Sequence, residues 1–330
     1  MTTPSGDREK PGERVRPRAS PAAPNPGRIA PIPVGFLLFD GFQPIDLAGP
    51  WQAFSTANEE LGRPAYVLST IGGRPMAATS DNGLLVHVAH TLAQAAPLGL
   101  DALIIPGGAG VHAATRDNVL VEWIRAVDRS TRRTCSVCTG AFLLAAAGLL
   151  NERKVTTHWR SAARLQKEFP RLSVSDEMIY CESGKYWTTA GVSAGIDLAL
   201  ALIERDFGPD LSQRVARRLV VYLRRSGDQR QYSQTLRLQD RAGAPFGELI
   251  KRIEGRLDRA WSIDEMAQAC AMSRRTFQRK FAAHFGVPPM EALGALRREH
   301  ADILAHSGKL SHKDIARRVG LAEYRPPEPV

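Results

Sequence analysis

The stretch Thr134-Cys135-Ser136-Val137-Cys138-Thr139-Gly140, continuing as AFLLAAAGLL to Leu150, changes character in its middle. Thr134–Val137 reads as a short strand. Gly140–Leu150 is rich in Ala and Leu and long enough for a helix. The join has the form small-x-nucleophile-x-Gly (Ser136-Val137-Cys138-Thr139-Gly140), the sequence of a sharp turn that lifts a side chain out at the carboxyl end of a strand. Small neighbours permit the turn, and the N-terminus of the following helix favours a thiolate at Cys138. Cys138 therefore reads either as an activated nucleophile or as a small buried residue that fills the core.

The same alternation of strand and helix extends on both sides. Val34–Phe39 (VGFLLF) is a buried run that ends in the turn Asp40-Gly41. Ala48–Leu61 reads as a helix opened by Gly49-Pro50, with proline near its first turn. Strands are expected at Tyr66–Ile71, Leu84–Val88, Leu103–Ile105, Val155–Thr157, Val174–Tyr180 and Tyr186–Thr188. Helices are expected at Val119–Ser130, with Leu120, Trp123, Ile124 and Val127 on one face, and at Ser193–Phe207. This order predicts an α/β domain built on a parallel sheet. Three elements complete a candidate site around Cys138. Gly107 and Gly108 follow a strand in Pro106-Gly107-Gly108, where backbone N–H groups can hold an oxyanion or a carboxylate. Asp46 follows the first strand, within reach of the Cys138 sulfur. His158, in Thr156-Thr157-His158-Trp159, is a candidate base or polar wall.

The 330 residues are 43% hydrophobic and 24% charged, which suits two soluble domains. No run approaches the ~18 apolar residues of a spanning helix, so no membrane partner is expected. The N-terminal segment has no apolar core of a secretory signal, and four cysteines in a chain this long make no disulfide framework. A reducing, cytoplasmic location follows. Cys135-x-x-Cys138 has no second pair with which to build a zinc site, so neither metal nor cofactor is expected. Residues 1–31 read as a disordered tail, 32–210 as the α/β domain, 211–244 as a basic helix (Leu211–Leu223) and a polar linker, and 245–330 as an all-helical domain. The net charge of +10 is unevenly placed. Residues 211–330 hold 23 Lys and Arg against 13 Asp and Glu, whereas residues 1–210 hold 21 of each. A basic C-terminal part suggests nucleic acid as its partner.

The helical part carries the pattern that such a partner requires. Ser262 and Glu265 form a capping box, Ala271-Met272 breaks the chain direction, and Ser273 caps a second helix. Phe277, Phe281 and Phe285 recur every fourth residue and face a core. The opposite face presents Arg275, Gln278, Arg279 and the small Ala282, flanked by Arg274 and Lys280. Arginine can bond guanine and glutamine adenine bidentately in the major groove, while flanking cations reach phosphates. The plain alternative is a helical hairpin with a solvated charged face.

Two resemblances sharpen these readings. S-x-R-T-F-Q-R-K-F, followed by F-G-V-P-P and S-x-x-D-I-A-R-R-V-G, resembles the AraC/XylS DNA-binding domain over residues 245–321. By that resemblance Arg275, Gln278 and Arg279 fall where the first recognition helix touches bases of double-stranded DNA. After Gly320 that family carries a second recognition helix. Here Pro326, Pro327 and Pro329 oppose one, so the second helix-turn-helix reads as incomplete, as in a truncated or frameshifted reading frame. Phe39–Pro50, Ile104–Gly108, Ser136–Ala141, Thr156–Trp159 and Thr188–Asp197 resemble the PfpI/ThiJ group of class I glutamine amidotransferase-like proteins. The resemblance implies a flavodoxin-like sandwich with a ligand crevice at the carboxyl ends of its strands. Isonitrile hydratases of this group are similar at Asp46, Cys138 and Thr139. The His that peptidase-like members carry after the cysteine is replaced by Thr139.

The fusion of the two resembles the GlxA-type regulators of the AraC family. It implies a sequence-specific transcriptional regulator and homodimer whose PfpI-like domain binds a small effector, an amino acid or a quaternary amine. The alternatives are a cysteine-dependent hydratase or hydrolase, with Cys138 and Asp46 as its catalytic pair, or a remnant that dimerises without binding DNA.

Overall fold

The structure, a computed structural model, describes residues 30–326 apart from 75, 96–97, 307–309 and, between 222 and 245, all but Arg225, Gly227, Gln231 and Leu238. The expected tail, most of the expected linker and residues 327–330 thus lie outside the described residues.

The first domain runs β1 (Ile32–Leu38), α1 (Pro44–Leu61), β2 (Tyr66–Gly72), β3 (Met76–Thr79), β4 (Leu85–Val88), β5 (His90–Thr91), α2 (Leu92–Ala95), β6 (Ala102–Ile105), α3 (Val111–Ala114), α4 (Asn118–Asp128), β7 (Arg133–Val137), a 3-10 turn (Cys138–Gly140), α5 (Ala141–Ala146), β8 (Lys154–Thr156), α6 (Trp159–Glu168), β9 (Ser173–Ser175), β10 (Tyr180–Ser183), β11 (Tyr186–Thr189), α7 (Ala194–Phe207) and α8 (Pro209–Arg218). Seven strands form one sheet in the order β10-β11-β7-β6-β1-β2-β5, parallel except for β10. β6 and β7 are buried along their whole length, and β1 nearly so, as strands covered on both faces must be. Connections leave β1 in opposite directions, to β2 through α1 and later from β6 to β7 through α4. Right-handed crossovers then set α1 and α4 on opposite faces and open a crevice between β1 and β6. α1, α7 and α8 pack against one another.

Several expected elements are redrawn. α1 begins at Pro44, not at Gly49-Pro50, with Pro44 in the first helical position. Pro50 sits inside the helix, packed against Gly195, and forgoes one backbone bond. β4 pairs with β3 in a separate antiparallel ribbon. The expected strand Val174–Tyr180 is two strands. β9 pairs with β8 away from the main sheet, and β10 edges the sheet itself. The expected helix Gly140–Leu150 is shortened to Ala141–Ala146 and the expected helix Leu211–Leu223 to Pro209–Arg218.

The second domain contains helices Gly247–Glu254, Ile263–Ala269, Arg274–Phe285, Pro289–His306 and His312–Val319. Leu249, Ile250, Ile253, Met266, Phe277, Phe281, Phe285, Leu293 and Leu296 form its core. A smaller cluster joins Ala301, Ile315, Ala316, Val319 and Tyr324. Residues 321–326 are not helical. Tyr324 instead folds back, buried, with its hydroxyl donating to Asp302 at 2.7 Å.

Candidate functional site

Five loops at the carboxyl ends of strands converge on Cys138. The chain leaves β7 through Cys138 itself, which adopts φ +56°, a left-handed conformation that L-residues avoid unless the surroundings impose it. Two neighbouring loops pack closely on it. A side chain at Gly107 would come within 2.8 Å of the Cys138 Cβ, and one at Gly191 within 2.8 Å of its sulfur. Both glycines are the price of packing two loops directly on the elbow.

Asp46, in the first turn of α1, is fully buried. Its Oδ2 accepts from the Gly107 N–H at 3.0 Å and its Oδ1 from the Val192 N–H at 2.9 Å. The Cys138 thiol is a third hydrogen-bond partner. Thr139 Oγ1 accepts from the Gly108 N–H at 3.0 Å, which ties the β6 loop to the elbow. Thr157 supports the elbow from below, its hydroxyl donating to the Cys138 carbonyl at 2.8 Å. The structure therefore brings Asp46, Gly107, Gly108, Cys138 and Thr139 together. His158 is turned elsewhere. Its Nδ1 accepts from the Arg160 N–H at 3.3 Å, capping α6, and its ring stacks on Trp159. Burial and the nearby Arg160 charge lower its pKa.

The electrostatics reverse one expectation from the sequence. Burial pushes the Asp46 carboxyl up to about 6, against the pull of its two backbone donors. Burial, and then the Asp46 charge, push the Cys138 thiol up to about 12, outweighing the Thr139 N–H and hydroxyl. At neutral pH these shifts favour an ionised carboxylate and a protonated thiol, the opposite direction to the thiolate that the helix N-terminus was expected to favour. The helix after the elbow is too short and the site too closed for its dipole to prevail. Large apolar side chains are exposed beside these loops: Ile45 next to Asp46, Val192 itself, and Trp159 close to Thr157. Among the described residues, no group of three or more His, Cys, Asp or Glu is placed to hold a metal, and no helix is long and apolar enough to cross a membrane.

In the helical domain Ser262 and Glu265 make the capping box in both directions, at 3.2 and 3.0 Å. Ala271, at φ +52°, makes the turn, and Ser273 Oγ accepts from Thr276 N–H to start the next helix. That helix buries Phe277, Phe281 and Phe285 against Phe246. Arg274, Arg275, Gln278, Arg279 and Lys280 are all exposed. Arg274 pairs with Asp264 at 2.9 Å across the turn. Among the described residues Arg275, Arg279 and Lys280 have no ion-pair partner.

A flavodoxin-like α/β domain with an elbow cysteine, joined to a helix-turn-helix domain, defines a class of two-domain proteins. The chain belongs to the DJ-1/PfpI family, matched over residues 33–205, and carries a helix-turn-helix domain matched over residues 266–325. It is 31% identical over 301 residues to the HTH-type transcriptional regulator GbdR of Pseudomonas aeruginosa, a match that covers 90% of this chain and 80% of that one. It is 33% identical to the isonitrile hydratase of Pseudomonas putida, over 56% of this chain and 76% of that one. A solved ThiJ/PfpI-family protein from Pseudomonas syringae superimposes with a TM-score of 0.54 at 23% identity, covering 73% of this chain and 94% of that one, which shows the shared fold.

Loops from three regions outside the expected set also build this site. Gly191 packs on the elbow and Val192 donates its N–H to Asp46, both within the quoted stretch Thr188–Asp197. Thr157 stands beside the expected His158. Gln231, described below, lies in a segment whose composition signals only a linker.

Proposed function

We propose that this protein is a DNA-binding transcriptional regulator whose DJ-1/PfpI domain senses a small metabolite. The observation that carries the reading is the pairing of the two domains in one chain, with the Arg274–Phe285 helix burying its phenylalanines and leaving Arg275, Gln278 and Arg279 on its open face. Those three side chains suit base edges, and Arg274 and Lys280 suit phosphates. The likeness to GbdR runs through both domains and supports the same reading. Residues 32–210 act as the sensor, 211–244 connect, and 245–330 bind DNA. Two copies of the chain would present two helix-turn-helix domains to paired half-sites, so the working form is a homodimer in the cytoplasm.

The effector is a nitrogenous metabolite, an amino acid or a quaternary amine. The buried Asp46 carboxylate, ionised at neutral pH, with the exposed Ile45 beside it in the chain and the exposed Val192 as its backbone donor, supports a small cation with an apolar body. To switch the protein it must bind two arrangements of the chain unequally. Selection of DNA from a random library by the full chain tests the regulator reading. Enrichment of one motif supports it, and an unenriched pool counts against it.

A second reading is a cysteine-dependent hydratase or hydrolase. The Asp46, Cys138 and Thr139 cluster and the partial likeness to isonitrile hydratase favour it. The protonated thiol weighs against it. Turnover of isonitriles or small amides by the purified chain, lost in Cys138→Ser, would establish it.

A further inference from the structure

We propose that Arg225 and Gln231 are positioning residues that clip the segment entering the helix-turn-helix domain onto the two loops holding Asp46 and Cys138, so that site and segment respond to each other. The proposal rests on the regulator reading for its purpose, but its geometry stands alone.

Gln231 is bound through both ends of its side-chain amide and through its backbone N–H. Its Nε2 lies within donating distance of Thr157 O at 2.8 Å, Thr156 Oγ1 at 3.1 Å and Met178 O at 3.2 Å. Its Oε1 accepts from the Trp159 N–H at 2.9 Å, and its backbone N–H donates to Glu177 O at 2.7 Å. Thr157, whose carbonyl Gln231 grips, is the residue whose hydroxyl holds the Cys138 carbonyl. Arg225 grips the opposite wall. Its Nε and Nη2 donate to Asp197 Oδ2 at 3.1 and 2.6 Å, and Nη2 also reaches Ser193 Oγ at 2.9 Å. Ser193 follows Val192, the backbone donor to Asp46. Between the two clips, Gly227 lies flat on Tyr180, where a Cβ would meet the Tyr180 carbonyl oxygen at 2.6 Å.

A freely swinging linker has no use for these contacts. The Asp197 side chain is 3% exposed, and releasing Arg225 strands a buried acid without its cation. Arg225, Gly227 and Gln231 are therefore held in a docked state, distinct from one in which these contacts are released. Leu238, a short way along the chain, already belongs to the core of the helical domain. A ligand that moves the backbone at Thr157 or Val192 disturbs the partners of Gln231 and Ser193 directly. Linkage requires the reverse as well: releasing the segment must alter the site.

That reciprocity gives a test without effector or DNA. The full-length chain and its variants are treated with iodoacetamide, Cys138 labelling is followed by peptide mass spectrometry, and hydrogen exchange is read over 225–231. Gln231→Glu keeps size and the acceptor for Trp159 while setting a carboxylate against three oxygens. Arg225→Gln is run with Asp197→Asn/Arg225→Gln, which leaves no stranded charge. Arg205→Gln, which removes a surface ion pair with Glu182, is the control. The expected result is faster exchange over 225–231 and a Cys138 labelling rate changed at least about fivefold in the clip variants, with Arg205→Gln like the parent. Faster exchange with Cys138 labelling unchanged overturns the proposal, because the segment then leaves without the site responding. Unchanged exchange overturns it too, because the contacts then do not hold the segment. A chain that selects no DNA motif would defeat the regulator reading and leave these measurements intact.

Discussion

The Asp46 carboxyl and the Cys138 thiol share one buried hydrogen bond and lose their protons far apart, at about 6 and about 12. Across the neutral range the pair holds a single negative charge, and it sits on oxygen. Such a pair is a polar floor for a ligand rather than a standing nucleophile.

Alkylation of Cys138 is expected to be slow. With the thiol pushed up to about 12, only about one molecule in 10⁴ carries a thiolate at pH 8, against roughly a quarter for a free cysteine. The iodoacetamide rate of the full chain should keep climbing to pH 10 and beyond. Asp46→Asn removes the neighbouring charge and should raise the rate at every pH. A plateau reached below pH 8 would mean that Cys138 is an activated thiolate after all.

Asp46 should also leave a mark on stability. Its folded pKa, about 6, lies above its ordinary 3.8, so the folded state keeps a proton that the unfolded chain has released. The sign follows: its contribution is fully present below pH 4 and is lost as pH rises to 6 and above, an amount of about 3 kcal/mol. Asp46→Asn carries no such proton. Urea unfolding at pH 4, 5, 6 and 7 should show the parent losing stability relative to the variant as pH rises across that window. Parallel curves would place the carboxyl outside the buried site described here.

Phe281→Ala tests the helical core. Phe281 is fully buried, with ring centroids 5.5 Å from Phe246 and Phe277 and 4.4 Å from Phe285. Truncation should cost about 3–5 kcal/mol. Hydrogen exchange should rise through 246–296 while β1, β6 and β7 keep their protection. Equal loosening of both domains would show that they unfold as one unit.

How much of this was legible in the sequence depended on burial. β1 and β6 lie inside the sheet and run largely apolar, so their positions could be read directly, whereas β7 is equally buried but carries Arg133, Thr134 and Ser136 and was legible only from the elbow that follows it. β4 sits in a ribbon with Leu85 67% exposed, and nothing in its residues distinguishes it from a sheet strand. α6 was not read at all, because only Ala162 and Leu165 of its ten residues are buried and no apolar stripe appears. Pro50 suggested a helix start that tertiary packing against Gly195 overrides. At the site, the elbow, Asp46 and the Gly107-Gly108 turn carry side-chain or glycine signatures. Val192 acts through its N–H and has none. The protonation of Cys138 depends on depth and on a neighbour's charge, and local sequence holds neither. Gln231 and Arg225 look like any polar linker residues until their partners on other elements are known.

Gln278→Ala and Arg279→Ala should each lose roughly 1–3 kcal/mol of discrimination at one base pair, with little change on unrelated DNA. Lys280→Ala should weaken binding on every sequence alike and reduce the salt slope by about 1. Arg274→Ala should behave like Lys280→Ala, offset in part because its pairing with Asp264 must be given up on DNA. Competition titrations with single-base variants of a selected site distinguish the two patterns. A uniform loss for Gln278→Ala and Arg279→Ala would place both residues on the phosphate backbone.

The most direct measurement is a salt-titrated binding curve for the full chain, by fluorescence anisotropy, on DNA selected from a random library and on the same DNA scrambled. The account expects tighter binding to the selected sequence that survives excess scrambled competitor, with affinity falling steeply as salt rises. Equal, weak binding to both DNAs would contradict it, and the chemistry of the Asp46–Cys138 site would then have to explain the protein.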